Sequence, residues 1–216
     1  MSLATVAVIL TVAGLTAGGF EPARLKAGVM PQPPRQAVSW EQALLDVGID
    51  RAGKVEDTRP LRATPLLLEV LRHAVGQWRF EPAVENGRQV QARILVAAVF
   101  RPPVLFDTPG QGPPPVDLAR QSEEIPFPTT IVPPAYPPRA LGDGVVLVEV
   151  LVAADGTVTQ AKIAQSAPGF DASATAAALR WSFRPARRRG ASTPAFAYLL
   201  FGFRAPVVVG PRRLQR

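Results

Sequence analysis

The 216-residue chain contains no cysteine, which removes disulfides, thiolate metal sites and cysteine nucleophiles from consideration. It has one histidine, His73, so a multi-histidine metal site cannot be built, and a histidine-based triad would rest on a single imidazole. Long apolar runs are scarce, and the one at the N-terminus spans residues 3–20 without a charge. Three readings of it stand. Ala17-Gly18-Gly19 ahead of Phe20 suits signal-peptide cleavage. The length is near the ~20 residues of a membrane anchor. A buried segment is the third. Residues 1–19 are thus expected to be a signal peptide or membrane anchor, and either places the remainder outside the cytoplasm.

Proline is in excess, and half of the 24 prolines fall between Pro102 and Pro138. A local excess of this kind marks a stiff connector between two folded parts. Basic residues outnumber acidic ones, 24 to 17. The net charge of +7 favours anionic surfaces, although the basic residues are spread along the chain as on an ordinary solvated surface. Arg187-Arg188-Arg189 is a dense run, either a solvated turn or an envelope-binding patch.

The chain repeats itself. An offset of 103 residues pairs Gly53 with Gly156, Trp78 with Trp181, Phe80 with Phe183 and Pro82 with Pro185. It also pairs Gly87 with Gly190, Phe100 with Phe203, Pro34 with Pro137 and Ala37 with Ala140, with no gap. Rare residues held in register across two segments indicate duplication.

Within each copy the apolar spacing predicts strand, strand, helix, strand. Leu45, Val47 and Ile49 alternate with Asp46, Gly48 and Asp50, as in a half-buried strand, and Val148, Val150 and Val152 match them. Gly53, and Asp155-Gly156, supply hairpin turns. Pro60 in the second strand of copy one predicts a sheet edge. Thr64-Pro65 reads as a helix cap and first turn. Leu67, Leu71, Ala74, Val75 and Trp78 make one apolar helical face, and Phe170, Ala174, Ala177, Ala178 and Trp181 make its counterpart. Pro82 and Pro185 are expected to stop the helices, and loops holding Gly87 and Gly190 lead to the last strands. The fold class is α+β: two tandem units, each a three-stranded antiparallel sheet in the order second–first–third, packed on one helix. The third strand is then left at an edge. Trp78, Phe80, Pro82, Trp181, Phe183, Pro185, Gly53 and Gly156 read as structural positions. Tryptophan ending an apolar stripe is core far more often than site.

Tyr136-Pro137, the valine-rich strand ending Ala154-Asp155-Gly156, the Phe170-Asp171 helix start, Trp181-Ser182-Phe183-Arg184-Pro185-Ala186 and the closing Phe201-Gly202-Phe203-Arg204 occur together. This conjunction resembles the TonB C-terminal domain family. Copy one resembles it more weakly, with Pro33-Pro34 in place of Tyr-Pro. The resemblance implies two domains, 30–106 and 134–209, joined by a proline-rich linker at 107–133. It implies a periplasmic protein, exported by a signal peptide or tethered to the inner membrane by residues 3–20. It also implies a partner, an extended peptide of an outer-membrane transporter, added as a strand beside the third strand. The expected contact is Ala195, Phe196, Ala197, Tyr198, Leu199, Leu200, Phe201 and Phe203. No catalytic residue, metal or cofactor is expected, and no nucleic acid. His73 falls off the apolar stripe, and Glu123-Glu124 sit in a linker with no scaffold.

Two alternatives stand beside this. In one, the third strands of the two copies pair with each other, by copy–copy packing or self-association, and form a structural pseudo-dimer with no edge for a ligand. In the other, the chain binds an envelope polymer through Arg187-Arg188-Arg189.

Overall fold

The computed structural model describes residues 19–32, 40–102 and 116–205. The expected signal peptide or anchor therefore lies outside the described residues, apart from Gly19. So do Pro33, Pro34 and Ala37, the 107–115 part of the linker, and the last residues of the second predicted domain.

The first half runs β1 (Phe20–Glu21), β2 (Arg24–Ala27), β3 (Glu41–Ile49), β4 (Val55–Ala63), α1 (Pro65–Val75), β5 (Arg79–Glu81), β6 (Ala83–Glu85), β7 (Arg88–Val90) and β8 (Ala92–Phe100). After β9 (Val116–Asp117) the order recurs as β10 (Phe127–Thr130), β11 (Gly144–Val152), β12 (Val158–Gln165), α2 (Asp171–Ala178), β13 (Ser182–Arg184), β14 (Ala186–Arg188), β15 (Ala191–Thr193) and β16 (Ala195–Phe203). Strands β2 to β8 each begin 103 residues before their counterparts β10 to β16.

The halves are not two bodies on a connector. Their long strands form one seven-stranded sheet in the order β12-β11-β16-β8-β3-β4-β9. Each half keeps the expected local order, β12-β11-β16 and β4-β3-β8, but the third strands are central rather than at edges. They pair in parallel, from Ala197 opposite Leu95 to Gly202 opposite Phe100. When equivalent strands pair in parallel within one sheet, the operation relating them is a half-turn about an axis along the strands. That operation exchanges the two faces of the sheet, so the two helices cover opposite faces.

Burial follows from this geometry. Leu45, Val47 and Ile49 pack with Leu67, Leu71 and Val75 of α1, and Val148, Val150 and Val152 pack with Ala174, Ala177 and Ala178 of α2. Each third strand divides its side chains between the two cores. Ile94, Val96 and Ala98 face α1, while Leu95, Ala97 and Val99 join the core of the second half. Conversely, Leu199, Phe201 and Phe203 stay with α2, while Tyr198 and Leu200 enter the core of the first half. β3, expected to be half-buried, is consequently buried on both faces along nearly its whole length.

α1 begins at Pro65, whose fixed φ and missing N–H suit the first turn. The Thr64 hydroxyl bonds the backbone of Gln42 instead of capping the helix. The helices end at Val75 and Ala178, well before Pro82 and Pro185. What stops them is competing pairing. Residues after each tryptophan are drawn into β5, against β2, and into β13, against β10. The Phe80 N–H donates to the Gly53 carbonyl and the Phe183 N–H to the Gly156 carbonyl, each at 2.8 Å. The expected loops at Gly87 and Gly190 are tight hairpins, β6–β7 and β14–β15, turning on Asn86-Gly87 and Arg189-Gly190 with positive φ at all four residues. Pro60 lies in β4, the last long strand on its side, where among the described residues only β9 pairs beyond it, opposite Arg62 and Ala63.

Candidate functional site

The expected contact, Ala195 to Phe203, is not a margin. Every residue of β16 is in register with β11, and Ala197 to Gly202 also pair with β8. Ala197, Tyr198, Leu199, Leu200, Phe201 and Phe203 have no exposed surface, and Phe196 is only 8% exposed. A peptide could join there only by prising β8 from β16. That would return Tyr198, Leu200, Leu95 and Val99 to water, at roughly 1.5–3 kcal/mol for each large apolar side chain. The reading of this strand as an open edge is therefore corrected. The local order was right, but the aromatic and aliphatic residues on its second face pack against the other half of the same chain.

Tyr198 shows how closely the seam is made. Its ring lies edge-on to Trp78 and Phe80, with centroids 6.3 and 6.0 Å away. Its hydroxyl donates to Glu149 Oε2 (3.0 Å) and accepts the Leu25 N–H (2.7 Å). Burial, then the Glu149 charge, push the phenol pKa well above its ordinary value. Arg24 bonds the other oxygen of Glu149 at 2.5 Å, and that bond raises the arginine pKa. Asp46, the equivalent of Glu149, is fully buried and is held by Arg59 and Arg93. Burial pulls the pKa of Arg93 down, but hydrogen bonds to Asp57 and Asp46 outweigh it. Both carboxylates are charged groups in an apolar sheet, and each is offset by guanidinium partners.

The paired motif residues are packing elements. Trp78 Nε1 donates to the Val29 carbonyl and Trp181 Nε1 to the Val132 carbonyl, each at 2.9 Å. Phe80 and Phe183 are buried beside them. Gly53 and Gly156 have φ of +78° and +88°, and a Cβ on either would come within 1.9 Å of the Phe80 or Phe183 carbonyl oxygen. The Cδ atoms of Pro82 and Pro185 lie close by.

The arginine run is engaged within the molecule. Arg188 and Arg189 both bridge to Glu85, at 3.2 and 2.9 Å, and the Arg188 guanidinium lies 3.8 Å from the centroid of the Phe20 ring. The run joins the hairpin of one half to that of the other, so it is not a free patch. His73 is exposed on α1, and the Glu123 carbonyl accepts the Arg187 N–H. Among the described residues no group of three or more histidine, aspartate or glutamate side chains could hold a metal.

Two outer strands remain, β4 and β12, and they are treated differently. β4 is partly sheltered. Arg62 and Ala63 pair with Asp117 and Val116, the Leu118 N–H donates to the Leu61 carbonyl (2.8 Å), and Arg62 bridges to Asp117 at 2.6 Å. That bridge holds the Asp117 carboxyl below its ordinary pKa. Among the described residues β12 pairs with β11 alone. Beside it lies a polar cleft of about 500 Å³ bounded by β2 and β12 and lined by Arg24, Lys26, Glu81, Glu149, Lys162 and Gln165. Sequence reasoning missed this place, because Arg24–Ala27 of β2 share no identity with 127–130 at the repeat offset. The usable signal was an acidic residue, Asp46 or Glu149, at matching positions inside apolar strands, which demands a cationic neighbour.

A hairpin, a helix on one face and a returning third strand, with Trp-x-Phe-x-Pro leading out of the helix, are now in place in the second half. Residues 132–204 match the family model described as Gram-negative bacterial TonB protein C-terminal. This segment is similar to a TonB C-terminal domain. It takes in β11, β12, α2 and β13 to β16. The first half, outside the matched residues, presents the same strands at the same spacing. Among curated proteins none matches this chain.

Proposed function

We propose that this chain is a cell-envelope protein with a TonB-like role in transport across the outer membrane, and that it meets its partner through backbone pairing along β12. On this reading the first half is a degenerate TonB C-terminal copy, retained because it seals the third strand of the second. The observation that carries the reading is a TonB C-terminal-like segment in which β16 is closed on both sides while β12 presents eight residues with no strand beyond them among the described residues. Unpaired N–H and C=O groups on such a strand are what an extended peptide uses to bind. The partner is an extended peptide of an outer-membrane transporter, and the chemistry is association without catalysis. The location is periplasmic, with residues 3–20 as export signal or tether; among the described residues no helix is long and apolar enough to cross a membrane.

Because the chain has no cysteine, single-cysteine variants test this directly. Gln160→Cys and Gln165→Cys on β12 should crosslink to an outer-membrane transporter in intact cells, and Leu199→Cys in the sealed strand should not. Crosslinks from Leu199→Cys and none from β12 would restore the third strand as the contact. No transporter crosslink from any position would favour the second reading, a structural pseudo-dimer with no transporter contact, to which the sealed β8–β16 seam lends support.

A further inference from the structure

The internal repeat supplies a template for what β12 binds. β4 and β12 both carry a bulge at the same repeat position. Leu44 pairs with Arg62 and Leu45 with Pro60, which leaves Leu61 as the extra residue. Leu147 pairs with Gln165 and Val148 with Ile163, which leaves Ala164. In the first half the Leu61 carbonyl accepts the Leu118 N–H, and residues 116–118, Val-Asp-Leu, lie along the strand. The acid in that segment bridges to Arg62, whose guanidinium also lies 5.7 Å from the ring centroid of Phe127. Phe127 begins β10, the counterpart of β2. In the second half the matching place, between β12 and β2, is the polar cleft, with Ala164 and Gln165 in its wall.

The lining sets the charge of the occupant. Arg24, Lys26 and Lys162 face Glu81 and Glu149, and Arg24 is bound to Glu149. Among the described residues Lys26 and Lys162 make no salt bridge. Lys162 stands at the repeat position of Arg59, and Gln165, which replaces Arg62, still offers an amide donor. The chain's own last residues include Arg212, Arg213 and Arg216, the wrong sign for such a cleft. An external acidic segment fits the cleft better than this basic tail.

We propose that the β2–β12 cleft binds an extended peptide in which an acidic residue is flanked by aliphatic ones, with a peptide N–H donated to the Ala164 carbonyl and the carboxylate held by Lys26, Lys162 and the Gln165 amide. The inference rests on β12 being the partner-binding margin and adds the chemistry of the partner.

The probe is a fluorescent peptide with the sequence of residues 113–120, titrated into the full-length protein and followed by anisotropy. Binding should saturate with a Kd of about 1 mM or tighter. Lys26→Glu with Lys162→Glu should weaken it at least about tenfold, roughly 1.4 kcal/mol. Asp→Asn in the peptide should weaken it comparably. Lys162→Gln is the milder variant if the double change disturbs folding, judged by near-UV circular dichroism. Arg187→Ala, on the β14–β15 hairpin, should leave binding unchanged. No saturation, or binding indifferent to both lysines and to the peptide acid, overturns the proposal. If Gln165→Cys still crosslinks to a transporter, the acidic motif fails while the margin stands. If the peptide binds but no transporter is captured, the cleft chemistry stands while the transport role fails.

Discussion

The outer strands β4 and β12 are counterparts by sequence offset, by bulge position and by place in the sheet, yet residues 116–119 run beside one and, among the described residues, no strand pairs beyond the other. The helices in front of them differ as well, α1 with leucines and α2 with alanines. The inner strands β8 and β16, by contrast, are treated alike, nine residues each and buried almost throughout. The halves thus agree in strand length and burial where they touch, although only Ala92/Ala195 and Phe100/Phe203 are identical between β8 and β16, and they diverge at the periphery. Each third strand serves both cores, whereas β12 packs against one.

Substitutions can break that comparison. The largest effect is expected from Trp78→Ala and Trp181→Ala, at about 3–5 kcal/mol each for a truncated buried tryptophan. Because one sheet runs through both halves, either change should lower a single cooperative transition. Two separate denaturation transitions, one native-like, would show the halves to be independent. Gly53→Ala and Gly156→Ala come next, at about 2 kcal/mol or more and nearly equal. Both combine positive φ with a backbone clash, and thermal melts of the pair measure how faithfully the turns repeat. Tyr198→Phe should cost about 1–2 kcal/mol, because the Leu25 N–H loses its acceptor and Glu149 a donor. Leu95→Met, at the equivalent position, should cost less, a difference visible in urea midpoints.

The smallest effect concerns β9. Asp117 is exposed, and its carboxyl pKa is lowered by the Arg62 bond. A depressed folded pKa means that the contribution is present above the unfolded value near pH 4 and is lost as pH falls through the folded one. The Leu118 amide signal should therefore shift below about pH 4, and Asp117→Asn should abolish that dependence. An unchanged profile in the variant would assign the titration to another group.

Much of the fold was legible because periodic apolar residues and rare landmarks repeated in register. The strand order within each half, the buried helical faces and the role of Trp78 and Trp181 all follow from spacing. The partner of the third strand did not. Phe196, Tyr198 and Leu200 announce a second buried face but not what covers it, because a transporter peptide and the other half of the chain make the same demand on side chains. The linker was misjudged because proline-rich composition hides short pairings such as β9 and β10, which depend on a few backbone bonds and not on any periodic pattern. The cleft was invisible for a related reason: β2 is four residues with no repeated identity, placed by its pairing with β5.

The parallel seam carries a last consequence. Had the same contact joined two identical molecules, every feature on one side would be copied on the other, and dilution would dissolve the assembly. Carried on one polypeptide, the contact is unimolecular and indifferent to protein concentration. It also frees the twins from identity. One outer flank can keep a short paired strand while its sibling has none among the described residues, an asymmetry that no homodimer could inherit.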